Sequence, residues 1–251
     1  MLVRVRRNIL ITGASSGLGA EMARQFVALG RNVAICARRT DRLKQLADEL
    51  AAGHPQSKVA SRTLDVDDHE AVFNTFQEFD EELGGLDRIV VNAGLGHGYP
   101  VGTGKFEINR ATAHTNFVSA LAQCEAALEI FRRRRDGHLV VVSSMSGLRG
   151  QRGHGTTYAA SKAAVANLAE GIRADVFASP IKVTTLLPGF IRSEMTANAH
   201  RTPFIVDTHV GVRAMVRAME REAATATVPR WPWLPVSWLL RVAPVRLLAR
   251  A

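Results

Sequence analysis

The chain has 251 residues, 47% of them hydrophobic, enough to bury the core of a single α/β domain. Its net charge of +9 would suit nucleic acid, but the basic residues are nearly all arginine and spread along the chain, so no nucleic-acid partner is expected. Two cysteines exclude a disulfide framework; Cys36 and Cys124 read as reduced core residues of a cytoplasmic protein with no metal site. No internal repeat, low-complexity linker or signal-peptide pattern is present.

In chain order, the apolar run Asn8–Thr12 is the first expected strand. It enters the glycine-rich loop Gly13-Ala14-Ser15-Ser16-Gly17-Leu18-Gly19, after which Met22, Phe26 and Val27 recur at helical spacing. Strand, glycine turn and helix are the context in which backbone amides and a helix dipole hold a dinucleotide pyrophosphate. Residues 33–37 form a second strand. A site for NAD usually carries a carboxylate at its end to hold the ribose 2′-hydroxyl. Here Ala37 is followed by Arg38 and Arg39, and a guanidinium can grip a 2′-phosphate instead. The expected cofactor is therefore NADP(H), with Arg38 as the main contact and Arg39 stacking on adenine.

Further strands are expected at 59–64, Arg88–Val91, 139–143 and 183–187. They alternate with helices, and this pattern predicts a Rossmann-type, doubly wound parallel sheet covered on both faces. Arg132, Arg133, Arg134 and Arg135 close the helix that carries Asn116, where cations face the negative dipole end. Tyr158 and Lys162 stand four apart on a further helix and share a face. The ammonium is expected to lower the phenol from its ordinary value of about 10. Val210, Ala214, Met215, Ala218 and Met219 are the buried stripe of one helix. The domain is expected over residues 1–228, followed by an apolar Trp/Arg tail over 229–251.

The loop TGASSGLG, Asn92-Ala93-Gly94, Asn116, Ser143-Ser144, Tyr158-Ala159-Ala160-Ser161-Lys162 and Pro188-Gly189 occur in the order of the short-chain dehydrogenase/reductase family. The chain resembles that family over residues 8 to about 195. The resemblance implies catalytic roles for Asn116, Ser144, Tyr158 and Lys162. Tyr158 would give a proton to the substrate oxygen and Ser144 would hold the developing alkoxide. Lys162 would tune Tyr158 and hold the nicotinamide ribose, and Asn116 would kink its helix and anchor a proton-supplying water. Gly13, Ser15, Ser16, Gly17, Leu18 and Gly19 would take the phosphates. Asp65 and Val66 would lie by the adenine, unless Asp65 merely caps the next helix. Asn92, Ala93, Gly94, Pro188 and Gly189 would pass the cofactor closely, and Ile191 and Ser193 would hold its carboxamide. The loop before Tyr158 is one residue longer than the commonest form, so Ser143 and Ser146 remain alternatives to Ser144. No chemistry is assigned to His97 or His154. The family also implies a homodimer or homotetramer.

The substrate pocket is expected from residues 95–105, 146–155 and 193–212. Those segments carry few charges, which favours an apolar carbonyl substrate. The layout and the WPW ending are similar to certain actinobacterial members that reduce 3-oxo groups of very long lipid precursors. All three tryptophans lie in the tail with no acidic residue after Glu222. Its prolines and arginines rule out an ordinary spanning helix. Either the tail makes a peripheral membrane contact or flap over an acyl chain, or it packs on the domain or on a neighbouring subunit. Three functions stay open: an NADPH-dependent reductase of a lipid-like ketone, an NADP-dependent alcohol or steroid dehydrogenase, and a non-catalytic NADPH-binding interaction protein.

Overall fold

Runs of Ile, Val and Leu form the central strands, and more polar segments the two edge strands, of a computed structural model that describes residues 5–197, 202–244 and 246. They are β1 (Asn8–Thr12), β2 (Asn32–Ala37), β3 (Val59–Thr63), β4 (Arg88–Val91), β5 (His138–Val142), β6 (Lys182–Pro188) and β7 (Thr225–Val228). All pair in parallel, in the order β3-β2-β1-β4-β5-β6-β7. Six match the expected strands within a residue or two at each end. The seventh extends the edge beside β6 and was not among those expected.

Helices cover both faces: α1 (Gly17–Ala28), α2 (Thr40–Gly53) and α7 (Thr208–Glu220) on one, α3 (His69–Leu83), α5 (Ser119–Arg134) and α6 (Thr156–Asp175) on the other. Strand alternation divides the core accordingly. Ile9 and Ile11 pack with Phe26 and Met215, while Leu10 packs with Phe76, Phe79 and Phe131. Of the expected α7 stripe, Met215, Ala218 and Met219 are buried and Ala214 packs against the core, while Val210 departs from it. Val210 is exposed, and Gly211, Val212, Met215, Val216, Ala218 and Met219 are buried, because Gly211 packs directly against Ile191. Cys36 and Cys124 are free and buried as expected, and burial pushes both thiols up to about 12. Arg134 ends α5 in contact with Asp80, as a solvated helix terminus.

Strand order reverses between β1 and β4, and the loops beyond their carboxyl ends diverge to open a crevice. The amino end of the sheet is sealed by a charge network around two buried arginines. Arg6 bonds Asp136 at 2.8 Å and Glu222 at 2.7 Å. Arg88, 1% exposed, bonds Glu220 at 2.6 Å, the Met219 carbonyl at 2.9 Å and His138 Nδ1 at 2.9 Å. His138 Nε2 lies 2.8 Å from Thr184 Oγ1. Removing one partner from such a network costs about 3–5 kcal/mol, because the charge left behind stays buried.

Burial, reinforced by the Arg88 and Arg6 charges, holds His138 well below the ordinary imidazole value. The unfolded chain therefore takes up a proton near pH 6.5 that the folded chain refuses. Stability from this residue is whole above pH 6.5 and should fall by about 1.4 kcal/mol per pH unit below it. Urea midpoints at pH 7.5, 6.5 and 5.5 read this slope. His138→Gln should remove it, and a flat wild-type profile would mean that the imidazole titrates normally.

Candidate active site

The glycine loop leaves β1 at the crevice floor. Gly13 has φ +67°, and a Cβ there would stand 2.8 Å from Ala93 Cα; one on Gly19 would stand 2.4 Å from the Gly13 carbonyl. Only glycine lets these three backbone segments close up. The Thr12 hydroxyl accepts from the amides of Asn92 and Ala93, each at 3.1 Å. Asn92 Nδ2 donates to the Thr12 carbonyl at 2.9 Å. Asn92 thus ties β4 to β1, and Asn92, Ala93 and Gly94 line the crevice with Gly13, Ser15, Ser16, Gly17, Leu18 and Gly19.

Arg38, Arg39, Asp65 and Val66 line one end of the crevice. The two arginines differ in their contacts. Arg38 is exposed, its nearest carboxylate oxygen being Asp65 Oδ2 at 4.0 Å. Arg39 turns onto the loop, donating to Ser15 Oγ at 3.0 Å, to Ser16 Oγ and to Glu194 at 2.8 Å. The reason is local: Arg39 stands just before α2, facing the loop hydroxyls, and Glu194 supplies the counter-charge. Asp65 does not cap α3, since Asp68 fills that role by accepting from Ala71 N at 3.0 Å.

The other end holds Ser144, Tyr158 and Lys162. Ser144 follows β5, accepts from Ser146 N at 3.1 Å and hydrogen-bonds Tyr158. Ser143 is buried and donates to the Lys162 carbonyl at 2.6 Å, so it is not free for the serine role. Lys162 Nζ donates to the Val142 carbonyl at 2.9 Å and lies 6.0 Å from the Tyr158 ring centre. Burial drives Lys162 down to about 8. Burial also raises Tyr158, with the Ser144 hydrogen bond acting the other way. The expected lowering of the phenol is therefore corrected: an ammonium weakened by burial and committed to a carbonyl does not outweigh desolvation.

Asn116 interrupts the path from α4 (Phe106–Ala113) to α5 with a π-helical turn, His114–Val118. The wide turn aims its side chain at Leu95, accepting from the amide at 2.7 Å and donating to the carbonyl at 2.9 Å. It also donates to Ser161 Oγ at 3.0 Å. A Cβ on Gly94 would meet Asn116 Oδ1 at 2.9 Å and Lys162 Nζ at 3.4 Å, so the three converge behind Tyr158.

Past β6, Pro188, Gly189, Ile191 and Ser193 line the crevice, and Ile191 bridges to Val206. From the expected pocket segments, Leu95, Gly96, His97, Ser146, Gln151, His154, Met195 and Thr196 reach it. Residues 198–201 of the third segment lie outside the described residues. His154 Nδ1 lies 2.8 Å from the Gly98 carbonyl and holds the loop. The tail forms α8 (Arg230–Val242); its portion at 245 and 247–251 lies outside the described residues. Trp233 packs flat over Gly189, where a Cβ would stand 2.1 Å from the ring, and joins Met145 and Leu187. Among the described residues no helix is long and apolar enough to cross a membrane.

Sequence reasoning missed Thr12, Arg42 and Glu194. A hydroxyl directly before the first glycine was a signal for Thr12. Arg42, one turn after Arg39, pairs with Glu194 on a segment 152 residues away, and no local pattern shows that.

These residues surround one continuous crevice of about 670 Å³. Its floor, where added Cβ atoms would collide, suits close passage of a dinucleotide, with cations at one end and a half-buried phenol at the other. The family model for short chain dehydrogenases matches residues 7–203. An uncharacterised oxidoreductase of Mycobacterium tuberculosis is 53% identical over 245 residues, 98% of this chain and 97% of the relative. An uncharacterised oxidoreductase of Myxococcus xanthus is 37% identical over 240 residues, 95% and 93% of the two chains. In fold, a short-chain type dehydrogenase/reductase from Mycobacterium marinum is similar at a TM-score of 0.80 and 24% identity, over 88% of this chain and 92% of the other. With the order of motifs, the geometry of the crevice and these matches in agreement, the chain belongs to the short-chain dehydrogenase/reductase family of oxidoreductases.

Proposed function

We propose that the chain is an NADPH-dependent carbonyl reductase acting on an apolar, lipid-like 3-oxoacyl ketone. One observation carries the reading: a half-buried Tyr158, hydrogen-bonded to Ser144, closes the crevice whose far end presents Arg38, Arg39, Ser15 and Ser16 and no carboxylate on β2. The dinucleotide, when bound, supplies hydride to the carbonyl carbon. The residues then face the negative charge that gathers on oxygen. A phenol raised by burial keeps its proton at neutral pH, so Tyr158 is a stored acid for that oxygen. Ser144 donates a second hydrogen bond there. Lys162 and Asn116, converging behind Tyr158 across Gly94, are placed to replenish the phenol. Leu95, Phe190 and Met195 on the wall favour an apolar substrate.

The tail adds a location. On α8, Pro235, Trp238, Leu239 and Val242 form one exposed stripe, Trp231 is exposed at a kink before it, and Trp233 and Ser237 face the domain. Arg230 and Arg241 flank the stripe, and no acidic residue follows Glu222. This combination supports peripheral contact with an anionic lipid surface beside the crevice.

NADPH at about a hundredfold its Kd should raise the melting temperature by about 5–10 °C, and NADH clearly less; equal shifts would sink the arginine argument. Tyr158→Phe should lower kcat/KM for an accepted 3-oxoacyl ester by about 10²–10⁴-fold while NADPH affinity stays within about twofold. Unchanged turnover would remove the proton role. The protein should float with phosphatidylserine-containing vesicles and not with neutral ones, and the double variant Trp231→Ser, Trp238→Ser should stay behind. Equal flotation of variant and wild type would assign the stripe to another partner.

A further inference from the structure

Glu194 lies immediately after Ser193, in the 3-10 turn Glu194–Thr196 that leads away from the crevice wall. Its carboxylate accepts from Arg39 Nη1 at 2.8 Å, from Arg42 Nη1 and from the Ser16 hydroxyl. Arg39 also spans Ser15 and Ser16. Two guanidinium forks and two hydroxyls therefore gather at the junction of β2, α2 and the glycine loop, around a single carboxylate contributed from the far side of the crevice. Such a donor set exceeds what one carboxylate needs and suits the three oxygens and greater charge of a phosphate monoester. The carboxylate is 54% exposed, and exposed ion pairs are weak, so a better anion can take its place.

The turn that carries Glu194 is anchored at its base. Ser193 N donates to Thr196 Oγ1 at 2.9 Å, and Thr196 Oγ1 donates to the Ile191 carbonyl at 3.1 Å. The next side chain, Met195, crosses to the opposite wall, where a Cβ on Gly96 would stand 2.4 Å from Met195 Cγ. The turn is thus a strap across the crevice, fastened on the arginine side by Glu194.

We propose that Glu194 is an internal competitor for the cofactor's 2′-phosphate, occupying the anion site of Arg39, Arg42, Ser15 and Ser16 until NADPH displaces it. This rests on the NADPH reading above and names the residue that sets the strength of the phosphate contact. The hydrogen bonds from Arg39, Arg42 and Ser16 hold the Glu194 carboxyl at about 2, so it is an anion throughout the working pH range and competes at all of it. Release of Glu194 also frees the strap, tying entry of the phosphorylated dinucleotide to opening of the Met195 side of the pocket.

Fluorescence titration of wild type and Glu194→Gln with NADPH, NADH, 2′-AMP and 5′-AMP tests this without turnover. The variant keeps the side chain's shape and removes its charge. It should bind NADPH and 2′-AMP about fivefold more tightly at low salt, with NADH and 5′-AMP within about twofold of wild type, and the gain should shrink at high salt. Unchanged or weaker binding of NADPH and 2′-AMP overturns the competitor. Equal tightening of NADH and 5′-AMP also overturns it, by moving Glu194 onto phosphates that both cofactors share. The wild-type preference is a separate reading: wild type binding NADH as tightly as NADPH overturns the cofactor assignment, whereas a preference for NADPH that the variant leaves unaltered overturns only Glu194's part.

Discussion

A single hydroxyl joins the two halves of this fold where they part. The Thr12 side chain receives two amides from the end of β4, and Asn92 returns a hydrogen bond to the Thr12 carbonyl. These bonds lock the carboxyl ends of β1 and β4 together at the point where strand order reverses, leaving the loops beyond them to diverge. Gly13 then has no room for a side chain against Ala93, and Gly19 none against Gly13. The crevice, its glycine floor and the distance from arginines to tyrosine all follow from that closure.

The two ends of the crevice treat charge in opposite ways. At the adenine side, cations are exposed and exchangeable, and their present partner is a carboxylate borrowed from another wall. At the tyrosine side, burial dominates. It drives Lys162 down to about 8, raises Tyr158 and commits the ammonium to a backbone carbonyl. The tyrosine end is thus the drier of the two, and the arginine end the more open to solvent.

The tail joins the site to the outside. Trp233 lies against Gly189 and makes edge contacts with Phe190 and Phe204, while Arg149 donates to the Ala243 carbonyl at 3.0 Å. The inner face of α8 therefore roofs the segment that follows β6. Its outer face is as apolar as its inner one, an arrangement water alone does not favour.

Local physics made much of this legible in one dimension. Five of the strands were visible because parallel strands buried on both faces must be nearly all apolar, and β3, half exposed at the edge, by its place in the alternation with helices. Gly13, Gly19, Tyr158 and Lys162 were visible because tight backbone approach and i,i+4 pairing act within a few residues. Ser144 was legible only with Ser143 and Ser146 still in contention. Tertiary contacts then engaged Ser143 with the Lys162 carbonyl and set Ser144 beside Tyr158, while Ser146 also lines the crevice. What stayed hidden were quantities that depend on partners far apart in the chain. The direction of the Tyr158 shift depends on burial by several segments, the turning of Arg39 on a carboxylate 155 residues away, and the inner face of α8 on Gly189. Periodicity and spacing report neighbours along the chain, whereas desolvation and long-range ion pairing exist only after the chain has closed on itself.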